Sequence, residues 1–128
     1  MKYLTTTVIG ILSILFLSNF SLRIQTHENH NIEVYFSNKL TLADLAKTQS
    51  ELSAKSIKLN YDYLRFGSDG KLTEIEYHVS TEKFGASDKS TNTEIELGFI
   101  INTDPNPKFG IIAGTKEQIQ KRLKALEN

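Results

Sequence analysis

The sequence predicts an α+β domain, a two-layer sandwich in which two helices cover one face of a mostly antiparallel sheet of about four to five strands. Three observations predict it. Several short segments alternate apolar and polar residues, the mark of strands with one wet face. Two segments repeat apolar residues at helical spacing, each behind a threonine suited to cap a helix. The order is strand, helix, four strands, helix, over about 97 residues from Ile32 to Asn128, enough for one modest core.

The domain follows an apolar leader. Residues 1–23 read as a membrane anchor or signal peptide, 24–31 as a polar linker and 32–128 as the domain. Leu4 to Leu22 is an uncharged stretch of about 19 residues between Lys2 and Arg23. As a helix it reaches roughly 28 Å at ~1.5 Å per residue, close to the ~30 Å of a hydrocarbon core. An uncleaved single-pass anchor is the first reading, with the domain on the extracytoplasmic side. A cleaved signal peptide is the second and would leave a periplasmic or secreted domain. Small residues do not fall well for cleavage: a cut after Ser21 puts Asn19 two positions before it, and a cut after Ser18 puts Phe16 there.

Ile32, Val34 and Phe36 alternate with Glu33 and Tyr35 in a first strand. Thr41 then caps a helix, with Asp44 three residues on and Leu42, Leu45 and Leu52 along one face to about Lys55. Ile57, Leu59, Tyr61 and Tyr63 form a second strand, with the tyrosines inward. Gly67-Ser68-Asp69-Gly70 is a turn, since glycine and aspartate tolerate positive φ. Ile75, Tyr77 and Val79 alternate with Glu74, Glu76 and His78 in a third strand. Ser87 to Thr93 is polar and reads as a loop. Ile95, Leu97, Phe99 and Ile101 mark a fourth strand, and Phe109 to Ala113 a fifth that Gly114 breaks. Thr115 with Gln118 opens the closing helix, lined by Ile119, Leu123 and Leu126.

Composition excludes several chemistries. The chain has no cysteine, so lipoprotein anchoring, disulfides, thiol nucleophiles and thiolate metal sites are absent. Removing Lys2 and Arg23 from the 15 basic residues leaves 13 against 15 acidic ones. A slightly acidic domain argues against nucleic-acid binding, which needs a positive field. The sequence carries no glycine-flanked serine elbow and no zinc-protease histidine pair, and Gly110 with Gly114 does not make a phosphate loop. No cofactor is expected, and no catalytic residue stands out.

Two groups of residues remain as candidate sites. Glu74, Glu76, His78, Glu94 and Glu96 fall on the wet face of the third and fourth strands, as a surface for a ligand or partner. If those strands pair with Tyr77 facing Leu97, His78 lies opposite Glu96, and imidazole beside carboxylates suits acid–base work or a divalent cation. The plainer reading is a solvated sheet face. His27 and His30 in the linker are weak metal candidates, better read as soluble spacers. The closing helix, with Lys116, Lys121, Arg122 and Lys124, suits an anionic membrane surface less well than plain packing on the sheet.

From Thr41 to Val79 the residues Leu42-Ala43-Asp44-Leu45, Lys58-Leu59-Asn60-Tyr61 and Gly67-Ser68-Asp69-Gly70-Lys71-Leu72-Thr73-Glu74-Ile75 form a pattern. It resembles the small non-catalytic domain at the C-terminal end of BlaR1-type (M56-like) membrane sensor peptidases of Bacteroidetes. The resemblance implies an extracytoplasmic accessory or sensing domain behind a membrane segment. The peptidase's zinc-binding helix has no counterpart here, so no catalytic residue carries over, and Ser56 stands where that family often has glycine. The expectation is a non-catalytic interaction or sensing module that binds a protein, peptide or small ligand, with an exposed sheet edge as one surface. One alternative is a small periplasmic metal-binding protein or hydrolase using His78 with Glu94 and Glu96. Another is a periplasmic inhibitor or immunity protein.

Overall fold

The computed structural model describes residues 25–26 and 31–127. The elements are β1 (Gln25–Thr26), β2 (Asn31–Phe36), α1 (Leu42–Ser53), β3 (Lys58–Phe66), β4 (Leu72–Ser80), β5 (Gly85–Ser90), β6 (Leu97–Asn102), β7 (Ile111–Thr115) and α2 (Lys116–Glu127). The α+β class holds, but the strands form two sheets rather than one. One has the order β1-β2-β6-β7 and the other β3-β4-β5, with antiparallel pairing throughout. The apolar leader from Leu4 to Leu22 lies outside the described residues, and among those described no helix is long and apolar enough to cross a membrane.

The two sheets close on a shared core. Val34, Phe36, Leu97 and Phe99 from one meet Leu59, Ile75, Tyr77 and Val79 from the other. Phe36, Tyr77 and Phe99 stack at its centre with ring centroids 5.0, 5.6 and 6.2 Å apart, within the range that aromatic pairs favour. The buried Tyr77 hydroxyl donates to the carbonyl of Gly98 at 2.8 Å. Gly98 is required there: a Cβ would stand 1.9 Å from the Val34 carbonyl oxygen.

The helices take different sides, contrary to the expectation of one shared face. Helix α2 lies on the outer face of the four-stranded sheet, where Ile119 packs with Ile100 and Ile112. Helix α1 instead sends Leu45 and Leu52 into the core between the sheets. It is pinned to β3 by Tyr61 Oη donating to the Leu45 carbonyl and by Gln49 Nε2 donating to the Leu59 carbonyl, both at 2.7 Å. Both predicted caps are present. Thr41 and Asp44 bond reciprocally at the start of α1, and Thr115 and Gln118 do so at the start of α2. Each satisfies two backbone donors that the first turn leaves open.

Four local expectations fail for physical reasons. The polar stretch read as a loop is largely β5, an edge strand with little apolar surface to bury, on which Ala86 packs against the core. The fourth predicted strand starts late: Glu94 and Ile95 belong to a turn held by Asn92, and Ile95 is 57% exposed. The last strand runs through Gly114, which pairs with Gly98, to Thr115. Tyr63 faces solvent, 50% exposed, because β3 holds an extra residue: Tyr61 pairs with Tyr77 and Tyr63 with Glu76, leaving Asp62 between them. Such a bulge shifts all later residues to the opposite phase.

Candidate functional site

The residues expected to form one acidic face are spread over two sides of the molecule. Strand β4 pairs with β3 and β5, not with β6, so His78 lies opposite Asn60 and Ser87 rather than Glu96. Glu74, Glu76 and His78 do share the outer face of the three-stranded sheet. Glu74 is paired with Arg65 at 3.3 Å. Glu94 sits in the turn before β6, and Glu96 pairs with Lys116 at 3.5 Å beside α2. The arrangement of His78 with Glu94 and Glu96 therefore does not form. His27 and His30 lie outside the described residues. Among the described residues no three histidine or carboxylate side chains converge on a point that could hold a metal.

The residues His78 does meet come from β3. Its Nδ1 lies 2.9 Å from Asp62 Oδ2 and its Nε2 3.0 Å from Asn60 Nδ2. With the aspartate ionised, the proton placement that serves both contacts puts a hydrogen on Nδ1 and lets Nε2 accept from the Asn60 amide. Asn60 and Asp62, two residues apart on β3, share its outer face by ordinary alternation and meet His78 there. An aspartate behind a histidine is also half of a catalytic relay, but a relay needs Nε2 directed at a nucleophile. Here Nε2 is occupied, and the dyad stands on a sheet face with about 45% of the histidine side chain exposed.

Three concave surfaces do not include His78 or Asp62, and one of them, about 430 Å³ beside α2, is lined by Glu96 and Lys116. One groove of about 630 Å³ runs between α1 and the edge of β3, along Ser50, Ser53, Lys58 and Asn60. Its lining mixes these polar side chains with Ala46, Ile57 and Leu59, and Gln49 already caps the Leu59 carbonyl within it. A cleft of about 560 Å³ opens at one end of the sandwich, inside the range of ~300–1,000 Å³ usual for small-ligand sites. Its floor is apolar, formed by Ile32, Ile57 and Ile101, and its walls are Phe84, Pro105 and Pro107. Charged side chains, Lys55, Glu82, Lys83 and Asp104, also line it.

Three connections build this cleft, and each is held locally. The turn after α1 closes with Ile57 N–H donating to the Leu52 carbonyl and Ser56 N–H to that of Ser53, both at 3.0 Å. Ser56 takes the left-handed conformation, φ 62°, which this way of ending a helix requires. The β4–β5 tip is held by Thr81 N–H donating to the Phe84 carbonyl at 2.8 Å and Phe84 N–H to Thr81 Oγ1 at 3.1 Å. The β6–β7 connection is braced by Asn102 Oδ1 accepting from Asp104 N–H at 2.9 Å, and two prolines stiffen it. Phe84 lies flat on the Gly110 backbone, where a Cβ would come within 2.2 Å of its ring.

Sequence reasoning missed this site because its parts are far apart in the chain. The usable signals were three: an aromatic residue in a polar hairpin tip, two prolines two residues apart, and a glycine just beyond them. None of these identifies the others as neighbours.

Comparisons with protein-family models, with curated proteins and with solved structures return no match to this chain.

Proposed function

We propose that the chain is a non-catalytic extracytoplasmic binding module, carried to or across a membrane by residues 4–22, that takes a peptide or small ligand in the end cleft. The cleft carries the reading. It combines an apolar floor, an aromatic and proline wall and a charged lining, on loops already fixed by hydrogen bonds. Loops on a rigid scaffold are the usual place for binding residues. A preformed cleft also avoids part of the ordering cost of binding. The resemblance between Thr41 and Val79 supports the same reading, since it implies an accessory or sensing domain behind a membrane segment.

The test is a ligand-observed NMR screen of the full chain in lipid nanodiscs, with empty discs as the blank. Hits that weaken at least fivefold in Phe84→Ala and in Gly110→Val support the cleft. Hits that ignore both variants place binding elsewhere on the domain and sink this assignment.

A further inference from the structure

We infer that the end of the sandwich opposite the cleft rests on the bilayer, with Leu42 and Ile95 entering its surface and the cleft opening to water; this rests on residues 4–22 staying attached as an anchor. Strands β2, β6 and β7 meet at that end at Phe36, Leu97 and Thr115. Leu72, the first residue of β4, ties the second sheet to it: its N–H donates to the Leu40 carbonyl and its carbonyl accepts from Thr93 Oγ1, both at 2.7 Å. Leu42 opens α1 two residues after Leu40, and Ile95 stands two residues after Thr93 in the turn before β6. Among the described residues these are the most exposed large apolar side chains, at 61% and 57%. A planar surface needs only that both protrude from one end.

The tether keeps the domain close to lipid. Only Arg23 and Ile24 separate Leu22 from Gln25, three steps of chain that span at most about 11 Å. Gln25 pairs with Glu33 and Thr26 with Ile32, so the β1–β2 edge lies near the point where the leader leaves the hydrocarbon. Either end of the sandwich falls within that reach, and two observations choose between them. Strand β1 runs toward the cleft, so Gln25, the residue nearer the leader in sequence, is also nearer the opposite end. The apolar groups of the cleft end are a recessed floor and Phe84, which packs on Gly110, whereas Leu42 and Ile95 stand out into solvent. Charge at their end is mixed, Lys39 and Lys71 against Asp69 and Glu94, so apolar insertion rather than attraction to anionic lipid carries the contact. Tethering holds the pair over the bilayer at high effective concentration, so two side chains suffice.

The chain has no cysteine, so a nitroxide placed on a single introduced cysteine gives no background. The full chain is purified from membranes, its intact mass is measured, and Leu42→Cys, Ile95→Cys and Lys83→Cys are labelled in turn in phosphatidylcholine nanodiscs. Collision of each label with oxygen, which concentrates in lipid, is compared with collision with a water-soluble nickel chelate. The oxygen-to-nickel ratio should be at least fivefold higher for Leu42→Cys and Ile95→Cys than for Lys83→Cys on the cleft rim. Equal ratios at all three positions in a full-length, disc-bound chain would overturn the docking and leave the anchor standing. The reverse order would overturn it too, by placing the cleft end on lipid. Low collision with both reagents at Leu42→Cys and Ile95→Cys would assign that end to a second copy of the chain and overturn the bilayer contact. A chain found shortened by about 20 residues would overturn the anchor, and the inference with it.

Discussion

The four-stranded sheet is covered on both faces, by the inter-sheet core and by α2, whereas the three-stranded sheet has one covered face and one wet face. The difference is visible strand by strand. All residues of β6 from Leu97 to Ile101 are buried, while on β4 Ile75, Tyr77 and Val79 are buried between Glu74, Glu76 and His78. A strand buried twice reads as a continuous apolar run, and a strand buried once alternates. The covered sheet is thus where substitutions should be least tolerated, and the wet face is where polar groups can form networks without strain on the core.

Substitutions that compare the two sheets directly should show the largest gap. Gly98→Ala puts a Cβ against the backbone of β2 and is expected to cost about 3 kcal/mol or more. Gly85→Ala on β5, where a Cβ meets only Val79 carbonyl oxygen at 3.8 Å, should stay within ~0.5 kcal/mol. Urea denaturation of both variants measures the gap; equal losses would break the comparison. Ile119→Ala, which uncovers the outer face of the four-stranded sheet, should cost about 2–3 kcal/mol. Glu76→Ala on the wet face should be near neutral.

The core between the sheets predicts an alkaline limit. Burial raises the pKa of Tyr61, and burial with the nearby Asp88 charge raises that of Tyr77. Both are held neutral in the fold, so the unfolded chain ionises first, near pH ~10. Their contribution is fully present below that pH and falls as pH rises above it, by up to about 1.4 kcal/mol per pH unit for each tyrosine. Denaturation midpoints measured from pH 8 to 12 should be flat and then drop, and Tyr61→Phe should remove part of the drop. A flat profile throughout would show that these phenols are not protected.

Two smaller effects sharpen the picture. His78→Ala removes a network that solvent already screens and is expected to cost at most about 1 kcal/mol by thermal melting. A larger loss would mean that the bulge itself depends on the histidine. Ser56→Gly relieves a left-handed conformation and should raise stability by roughly 0.5–1 kcal/mol after the added freedom of the unfolded chain is offset. A loss instead would show that the Ser56 side chain makes a stabilising contact.

Local chemistry made much of the fold legible. The caps at Thr41 and Thr115, the Gly67–Gly70 turn and the alternation of β4 were readable because each depends on residues within a few positions of one another. What could not be read depended on partners distant in sequence. Ile95 alternates with Glu94 and Glu96 like a strand residue, yet the Asn92 turn claims that segment. Gly85–Ser90 lacks strand character but is paired along β4. The candidate acidic face failed at the same step: its residues were placed on the right kind of surface, but the pairing that would join His78 to Glu96 belongs to other strands.

The sequence by itself determined the α+β class, both helices with their caps, the inward set on β4, the absence of thiol chemistry and the apolar leader, because periodicity, capping and composition act over a few residues at a time. Only the tertiary structure decided that the strands divide between two sheets, that the helices take different sides, that Asp62 meets His78 across the β3–β4 pair, and that Lys55, Phe84 and Pro105 line one cleft. Those outcomes depend on which buried surfaces meet in three dimensions, and no spacing along the chain records that.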